Sequence, residues 1–225
     1  MPINSERPWA DGITGIIFDL DGVLIQSRGA HARAFQEVLE GFGVNDFHYD
    51  DWAGWRTPDV FRSIFAARGI AAGDAVIADC SRRKSQRARD LVAADKPIEP
   101  DCIPVVRQLA ARYRLALASS GSRKSVDIFL DTTGLRDAFR ATFSGDDVRM
   151  AKPDPEIFSK AIESLETQPS ACAVVEDAVA GIQAARRAGA YGIGFTSDNA
   201  AALSAAGADR VVASLRELAG LLECA

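Results

Sequence analysis

Short apolar runs and amphipathic stretches alternate along most of the chain, and this alternation predicts an α/β fold. The run at 13–18 is almost entirely apolar and rich in isoleucine, as expected for a strand buried on both faces of a sheet. Similar runs predict strands at 115–118, 141–143, 172–175, 192–195 and 210–212. Amphipathic stretches predict helices at 105–112, 125–130, 152–165, 178–188 and 215–222. Strands and helices in this order are typical of a doubly wound parallel sheet.

Between residues 27 and 96 the alternation stops, and the pattern predicts helices only. One helix starts near Gly29 with an apolar stripe, and a longer one is predicted from 74 to 93. Between them, Thr57 has the residue type of an N-cap and Pro58 suits the first helical position. A cluster of prolines follows the third helix. We therefore predict a core of residues 1–26 and 97–225, with residues 27–96 inserted as an all-helical cap.

Two carboxylates follow the first predicted strand. Asp19 and Asp21 are two residues apart, so in an extended backbone both side chains point the same way, and Gly22 permits a sharp turn behind them. In a parallel sheet, ligands bind beyond the carboxyl ends of the strands. Two close carboxylates need compensation to be ionised together at neutral pH, which favours Mg²⁺ with oxygen ligands. One carboxylate could then act as nucleophile and the other as proton donor and acceptor. The alternative is an acidic turn after a core strand.

Polar groups also follow three other predicted strands: Ser119 and Ser120, Lys152, and Glu176 with Asp177. In the predicted sheet they share one edge with the first carboxylate pair. Hydroxyl and amide donors, a cation and further carboxylates suit a phosphoryl group, whose transfer needs charge neutralisation and in-line attack. Each group has a structural alternative: the serines could cap a helix, the lysine could be a solvated loop cation, and the acids could favour a helix N-terminus. Their joint occurrence at successive strand ends favours the phosphoryl site.

The chain resembles the haloacid dehalogenase (HAD) superfamily, and the residues just described carry the resemblance. It spans nearly the whole chain and consists of four motifs in order: Phe18-Asp19-Leu20-Asp21-Gly22-Val23-Leu24, Ala118-Ser119-Ser120, Lys152-Pro153-Asp154-Pro155 and Val175-Glu176-Asp177-Ala178. The helical insert looks like the cap of the subgroup that contains β-phosphoglucomutase and phosphoglycolate phosphatase.

The resemblance implies a role for each polar group. Asp19 would attack phosphorus and become an aspartyl phosphate, and Asp21 would protonate the leaving oxygen and then activate water or an acceptor hydroxyl. The phosphoryl oxygens would be held by Ser119, the Ser120 amide and Lys152. Mg²⁺ would be bound by Asp19, the Asp21 backbone carbonyl and Asp177, with Glu176 as a ligand or behind one.

The residue at position 21 also narrows the activity that the resemblance implies. Haloacid dehalogenases and phosphonatases lack an acid at this position, so both activities are disfavoured by Asp21. Two positions depart from the family pattern: Ala178 stands where relatives often carry Ser, and Gln26 stands where many carry Asp. Neither departure removes a catalytic group, but both could alter the hydrogen bonds around the site.

Four residues of the predicted cap are candidates for substrate contact: Ser27, His31, Arg56 and Lys84. The first two match in spacing a hydroxyl and a histidine of β-phosphoglucomutase, and Lys84 resembles its cap lysine. His31 also lies on the apolar stripe of its helix, so a buried core histidine is the alternative. Five cations between 82 and 89 indicate a solvated helix face with one or two members directed at an anionic substrate. The aromatic residues Trp52, Trp55 and Phe61 are predicted to belong to the cap core.

Composition excludes few function classes. The chain has 225 residues with 48% hydrophobic and 25% charged, which is ordinary for a globular protein. A net charge of −5 gives no reason to expect nucleic acid or a membrane as partner. The cysteines at 80, 102, 172 and 224 form no closely spaced pair, which predicts reduced thiols in a cytoplasmic protein. The polar stretch 1–12 lacks the apolar core of a signal peptide and is expected to be a disordered lead-in. We expect a monomer or weak dimer.

The sequence thus predicts a Mg²⁺-dependent phosphatase for a small phosphorylated metabolite, with a sugar or polyol phosphate as the leading substrate class. A phosphomutase of the β-phosphoglucomutase type is the first alternative, because it differs only in protecting the aspartyl phosphate from water. A non-catalytic binding protein on the same scaffold is the second. It predicts an eroded acidic motif, whereas the motif here is intact.

Overall fold

Six parallel strands form a single sheet at the centre of the protein. This computed structural model describes residues 12–52, 54–95 and 97–223. The strands are β1 (Gly15–Phe18), β2 (Arg114–Ala118), β3 (Ala141–Phe143), β4 (Cys172–Glu176), β5 (Tyr191–Phe195) and β6 (Arg210–Val212). Their order across the sheet is β3-β2-β1-β4-β5-β6. The order reverses between β1 and β4, which in such sheets is the place where ligands bind.

Helices cover both faces of the sheet, as the predicted doubly wound fold requires. In chain order they are α1 (Arg28–Glu40), α2 (Thr57–Ala67), α3 (Asp74–Asp95), α4 (Cys102–Ala110), α5 (Arg123–Thr133), α6 (Glu156–Ser164), α7 (Val179–Arg187), α8 (Ala200–Ala206) and α9 (Leu215–Glu223). Successive strand residues point to opposite faces, so Ile16 and Phe18 pack under α4, α5 and α9, while Ile17 packs under α6 and α7. All three side chains are fully buried, which explains the unbroken apolar run of β1.

The helices α1 to α3 build an apolar cluster of their own, separate from the two clusters on the sheet. Its largest fully buried members are Phe61 and Phe65 from α2; Phe61 packs against Phe35 of α1, and Phe65 packs against Phe61. Two connections lead into and out of this insert, and they run side by side: the Gln26 amide donates to the Pro97 carbonyl at 2.7 Å. The insert is thus attached to the core by two paired segments.

The structure confirms the fold class and corrects two local predictions. Each predicted strand is present, with its ends displaced by at most two residues. Thr57 is not the N-cap of α2: Arg56, in an extended conformation, occupies that position and Thr57 begins the helix. The helix α8 escaped prediction because its sequence, rich in alanine, carries only one large buried side chain, Leu203. With so little contrast between its faces, it shows no amphipathic period.

Some sequence predictions concern residues for which the structure gives little or nothing. The expected lead-in lies almost entirely outside the described residues, as does Cys224. The other cysteines, at 80, 102 and 172, are buried free thiols. Within residues 12–52, 54–95 and 97–223, every helix is too short or too polar to cross a membrane. The boundaries predicted for the cap, 27–96, stay a prediction.

Candidate active site

The carboxylates of β1 and β4 meet at the point where the strand order reverses. The two strands are neighbours, and the Asp19 amide donates to the Val175 carbonyl at 2.9 Å. After Asp19 the chain turns through Gly22, whose φ of +86° is a conformation that favours glycine. A Cβ atom at Gly22 would lie 2.0 Å from Oδ2 of Asp177. The glycine therefore both makes the turn and leaves space for the carboxylate from β4.

Lys152 lies between two of these carboxylates. Its Nζ is 2.6 Å from Oδ1 of Asp19 and 2.6 Å from Oε1 of Glu176, and it also donates to the Ala118 carbonyl at 3.3 Å. The side chain is only 1% exposed, and its ammonium stands 4.8 Å from the centre of the Phe158 ring. Burial alone would lower the pKa of Lys152, but the two carboxylates raise it above its usual value. The lysine is therefore a fixed positive charge beside Asp19.

Both oxygens of Glu176 have protein partners. One accepts from Lys152, and the other accepts from the Ala178 amide at 2.9 Å. The carboxyl group lies against the backbone of α7, where a Cβ on Gly181 would be only 1.9 Å from its Cδ atom. In this arrangement Glu176 supports Lys152; of the two roles expected for it, a metal ligand or a residue behind one, its contacts match the second.

Negative charge is in excess at this end of the cleft. Burial raises the pKa of Asp19 to about 8; Lys152 opposes this rise, while Glu176 and Asp21 add to it. The pKa of Asp177 is also raised, by burial and by the charges of Glu176 and Asp19. One ammonium thus faces several carboxylates, and a further cation would relieve their repulsion.

Asp21 has a different environment, made mostly by the insert. Its Oδ1 accepts from Ser27 Oγ at 2.5 Å and lies 3.2 Å from Nε2 of His31, while its Oδ2 is 3.4 Å from Ser119 Oγ. Burial would raise the pKa of this carboxyl, but His31, Ser27 and the more distant charge of Lys84 together hold it below its usual range. The surroundings thus distinguish the two carboxyl groups: with no further cation beside them, Asp19 holds its proton more tightly than an ordinary aspartate and Asp21 less tightly.

His31 connects Asp21 to Lys84. The Nζ of Lys84 is 2.8 Å from Nδ1 of the imidazole. Because the ammonium is a donor only, Nδ1 accepts and the ring proton resides on Nε2, facing Asp21. Burial lowers the pKa of Lys84 to about 7, with Asp21 opposing, and burial and Lys84 also lower the pKa of His31. The alternative of a core histidine does not hold, since His31 lines the cleft.

The serines after β2 do not cap the following helix. The N-cap of α5 is Ser122, which accepts from the Ser125 amide. Ser119 Oγ instead accepts from the Gly121 amide at 2.9 Å, and Ser120 Oγ donates to the carbonyl of Gly54 in the insert at 3.0 Å. The loop after β2 therefore joins the core to the insert directly above the carboxylates.

Arg56 makes a second contact between insert and core. Its guanidinium donates to the Arg149 carbonyl at 3.1 Å, and its side chain lines the same cleft as Asp21 and Ser120. The structure thus brings every predicted site residue to the cleft or to a group that lines it.

Two aromatic side chains at the site were not predicted. Tyr49 and Trp55 line a small pocket of about 50 Å³ over Asp19 and Asp177. Burial and the nearby carboxylates raise the pKa of Tyr49. Trp55 is 42% exposed, so its assignment to the cap core was wrong. Both residues lie in the irregular segment between α1 and α2, where no periodicity indicates which side chains face the core.

The residues present suit a magnesium ion. Within residues 12–52, 54–95 and 97–223, no three His, Cys, Asp or Glu side chains form a ready-made metal cluster. Mg²⁺ does not require one, because proteins usually hold it with one or two carboxylates, while water and substrate phosphate complete the shell. The raised pKa values of Asp19 and Asp177 show that Lys152 alone does not compensate the negative charge of these two carboxylates. They are the oxygen ligands that fit the ion.

Three features together indicate the class of enzyme: a parallel sheet with paired carboxylates at its switch point, a buried lysine beside them, and a helical insert. Residues 13–189 match the family model of haloacid dehalogenase-like hydrolases, so the protein belongs to this family of enzymes.

Named relatives include both a phosphatase and a mutase. The chain is 30% identical over 178 residues to the fructose-1-phosphate phosphatase YqaB of Escherichia coli, which covers 78% of this chain and 92% of that protein. It is 26% identical over 189 residues to the β-phosphoglucomutase of Bacillus subtilis, and this match covers 80% of this chain and 81% of that protein. Among solved structures, a hydrolase from Pseudomonas syringae superposes with a TM-score of 0.81 at 26% identity, covering 93% of this chain and 98% of that one.

Proposed function

We propose that the protein is a Mg²⁺-dependent phosphatase that hydrolyses a small phosphomonoester, a sugar or polyol phosphate, through an aspartyl-phosphate intermediate. The observation that carries this proposal is the placement of Lys152 at 2.6 Å from Asp19, with the hydrogen-bonded Asp21 two residues away. The relative named fructose-1-phosphate phosphatase supports the substrate class. Phosphatases of this kind need a nucleophile, an acid–base group and a fixed cation, and these three side chains supply them.

Each step can be assigned to a side chain. Asp21 first takes up the proton that Asp19 gives up on ionising; Asp19 then attacks phosphorus, the bond to the leaving oxygen breaks, and Asp21 gives this proton to that oxygen. Asp21 then takes a proton from the water that attacks the aspartyl phosphate, which releases inorganic phosphate and regenerates Asp19. Lys152 and Ser119, with the backbone amide of Ser120, balance and hold the charge of the phosphoryl oxygens. A carboxylate nucleophile is ionised when the phosphate arrives only if cations compensate it, and Lys152 supplies one of these cations.

Magnesium fits the remaining negative charge. Asp19, Asp177 and the Asp21 backbone carbonyl would hold it, and when bound it would supply electrostatic masking of the repulsion between carboxylate and phosphate. Glu176 acts behind these ligands by keeping Lys152 in place.

We also propose that residues 27–96 act as a cap that excludes bulk water while the phosphoryl group is transferred. Ser120 with Gly54, and Arg56 with Arg149, connect the insert to the core in this arrangement. Ser27 and His31 contact Asp21 from the cap side in this arrangement, so the cap supplies partners of the proton-transfer group. The buried thiols agree with a cytoplasmic location, which we include in the proposal.

A phosphate-release assay over a panel of sugar and polyol phosphates tests the proposal. We expect release to require Mg²⁺, to stop with EDTA, and to fall by roughly 10⁴-fold or more in Asp19→Asn. Asp146→Asn is the matched control, because this aspartate contacts the Arg123 amide on the core side and takes no part in the proposed chemistry. Release that survives in Asp19→Asn, or that is indifferent to EDTA, would contradict the proposal.

A phosphomutase is the second candidate, and one observation favours it. Asp21 is contacted by Ser27 and by His31, and His31 in turn is contacted by Lys84. These three are the residues whose positions resemble those of β-phosphoglucomutase, and one relative carries that name. Such contacts could hold Asp21 for a sugar hydroxyl in preference to water. Following isomer products in the same assay separates the two: isomerisation without net phosphate release, dependent on a bisphosphate primer, would establish the mutase.

A further inference from the structure

The cleft continues well beyond the carboxylates, along the helix α3. It encloses about 410 Å³, and the α3 residues that line it run from Ser81 to Ala93. A helix rises about 1.5 Å per residue, so this wall is about 18 Å long. Lys84, which contacts His31 near the reacting end, is one quarter of the way along it. The space past Lys84 is therefore not needed for the phosphoryl group and is available to the rest of the substrate.

The far part of the cleft has mostly apolar walls. Ile25 and Ile98 from the two connecting segments, Val92 from α3 and Phe129 from α5 face it. A purely polar sugar would lose hydrogen bonds to water here without replacing them. These walls suit a carbon chain or the apolar face of a ring.

Arg89 brings a positive charge to this apolar region. It lines the cleft on α3, one turn before Val92. Its Nη2 donates to Gln86 Oε1 at 2.8 Å, but its Nε is buried and has no hydrogen-bond partner among the described residues. A buried donor without an acceptor is destabilising, because it has lost its hydrogen bond to water without a replacement. The guanidinium would gain by turning towards an acceptor that enters the cleft.

Arg82 provides a contrast on the same helix face, two turns earlier. It also lines the cleft, but it is paired with Asp79 and its side chain is 72% exposed. Asp146, an anion that lines the opposite wall, is already engaged by the Arg123 amide. Arg89 is thus the cation at this wall whose hydrogen bonding is incomplete.

We propose that the region beside Arg89 is a subsite for an oxyanion, a carboxylate or a second phosphate, at the far end of the substrate's leaving alcohol. The inference deepens the proposed function and rests on it. Arg89 lies five residues after Lys84, or about 7.5 Å along the helix, so a linker that starts before Lys84 needs about six carbon atoms or more. Within the proposed phosphomonoester class, the cleft therefore favours a leaving alcohol with an apolar segment and an anionic end over an unsubstituted sugar or polyol.

Matched synthetic substrates test this subsite. Hexyl phosphate has the linker alone, 6-phosphonooxyhexanoate adds a carboxylate, and hexane-1,6-diol bisphosphate adds a phosphate. We expect each terminal anion to raise kcat/KM by about tenfold or more in the wild-type enzyme, and Arg89→Gln to reduce that gain to about twofold or less. The carboxylate and bisphosphate arms show which oxyanion fits better.

Two controls make the result specific. Arg82→Gln removes a cation from the same face and should retain the preference for the terminal anion. Hexyl phosphate should be hydrolysed equally by wild type and Arg89→Gln, which shows that the variant is folded. The proposal is overturned if the wild-type enzyme shows no preference for the anion, or if Arg89→Gln retains the preference.

Failure of the proposed function would give a different result. In that case hexyl phosphate and both anionic substrates would all remain intact. Calorimetric binding of the same three compounds to wild type and Arg89→Gln then tests the subsite alone: tighter binding of the anionic compounds, lost in the variant, supports it, and equal binding overturns it.

Discussion

Two buried lysines lie near the carboxylate pair Asp19 and Asp21, and their surroundings displace their pKa values in opposite directions. Lys152 belongs to the core and Lys84 to the cap, and each residue as a whole is only 3% exposed. Lys152 contacts two carboxylates, and its pKa lies above the usual value. Lys84 contacts an imidazole and lies 4.2 Å from the centre of the Phe35 ring, and burial lowers its pKa to about 7.

The difference shows that the core and the cap contribute different kinds of charged group to the site. Burial opposes the charged form of both lysines, and only a directly bonded carboxylate reverses the effect. Lys152 is therefore held in its charged form and offsets part of the negative charge of the site. Lys84 can lose its proton near neutral pH, so the cap contributes an adjustable group that reaches Asp21 through His31.

Removing the core lysine should have the largest effect. Lys152→Met leaves Asp19 and Glu176 buried together without their cation, and we expect this to lower the free energy of unfolding by about 3 kcal/mol and to abolish activity. Urea denaturation at neutral pH measures the loss. Lys160→Met is the control, because Lys160 is 42% exposed and its pair with Glu156 contributes about 1 kcal/mol at most. Equal effects of the two substitutions on the free energy of unfolding would show that the buried ion pairs of Lys152 contribute no more than the exposed pair of Lys160.

A smaller effect is expected when Glu176 is displaced. In Gly181→Ala the new Cβ would overlap the Glu176 carboxyl group, and we expect a cost of about 1–3 kcal/mol together with lower activity, since Lys152 loses its support. Gly220→Ala on α9 is the matched substitution, with no atom within 4 Å of the new Cβ. It should stabilise the protein by up to about 1 kcal/mol. If both variants gain stability, the close packing of Glu176 against α7 is not a constraint.

Lys84 of the cap should make the free energy of unfolding depend on pH. Its pKa is about 7 in the folded protein, against 10.5 for the unconstrained side chain. Between these values the unfolded chain binds more protons than the folded one, so Lys84 makes stability rise with pH, by up to about 1.4 kcal/mol per pH unit. Below pH 7 both states are protonated and this slope vanishes.

Comparison with Lys84→Met isolates that contribution. The difference in unfolding free energy between wild type and variant, measured in denaturant titrations at several pH values above 7, should grow in favour of the wild type. A difference that stays constant with pH would mean that Lys84 keeps its normal pKa in the folded protein.

The core half of the site could be predicted from sequence, because its parts follow strand ends. Parallel strands place their carboxyl ends on one edge, so Asp19, Ser119, Lys152 and Asp177 had to lie near each other once the sheet was inferred. Which carboxylate would hold Lys152 could not be predicted. The position of Glu176 beside Lys152 depends on Gly181 in α7, because a side chain at Gly181 would occupy the space of the Glu176 carboxyl group.

The cap half was less predictable, because its contacts join segments that are distant in sequence. Tyr49 and Trp55 lie in an irregular stretch without periodicity, and the hydrogen bond between Ser120 and Gly54 depends on how the insert docks. Five cations cluster on α3, and sequence indicated that one or two face the substrate. Only the structure separates the buried Lys84 and the cleft-facing Arg89 from their solvated neighbours.

Trapping the phosphorylated enzyme tests the central claim most directly. The protein would be acid-quenched during turnover of a substrate found in the panel, digested, and analysed by mass spectrometry for the peptide that contains Asp19 and Asp21. A phosphoryl group on Asp19, removed by hydroxylamine and missing in Asp19→Asn, is the predicted result. Steady turnover with no adduct, or an adduct on another residue, would contradict the assignment of Asp19 as the nucleophile.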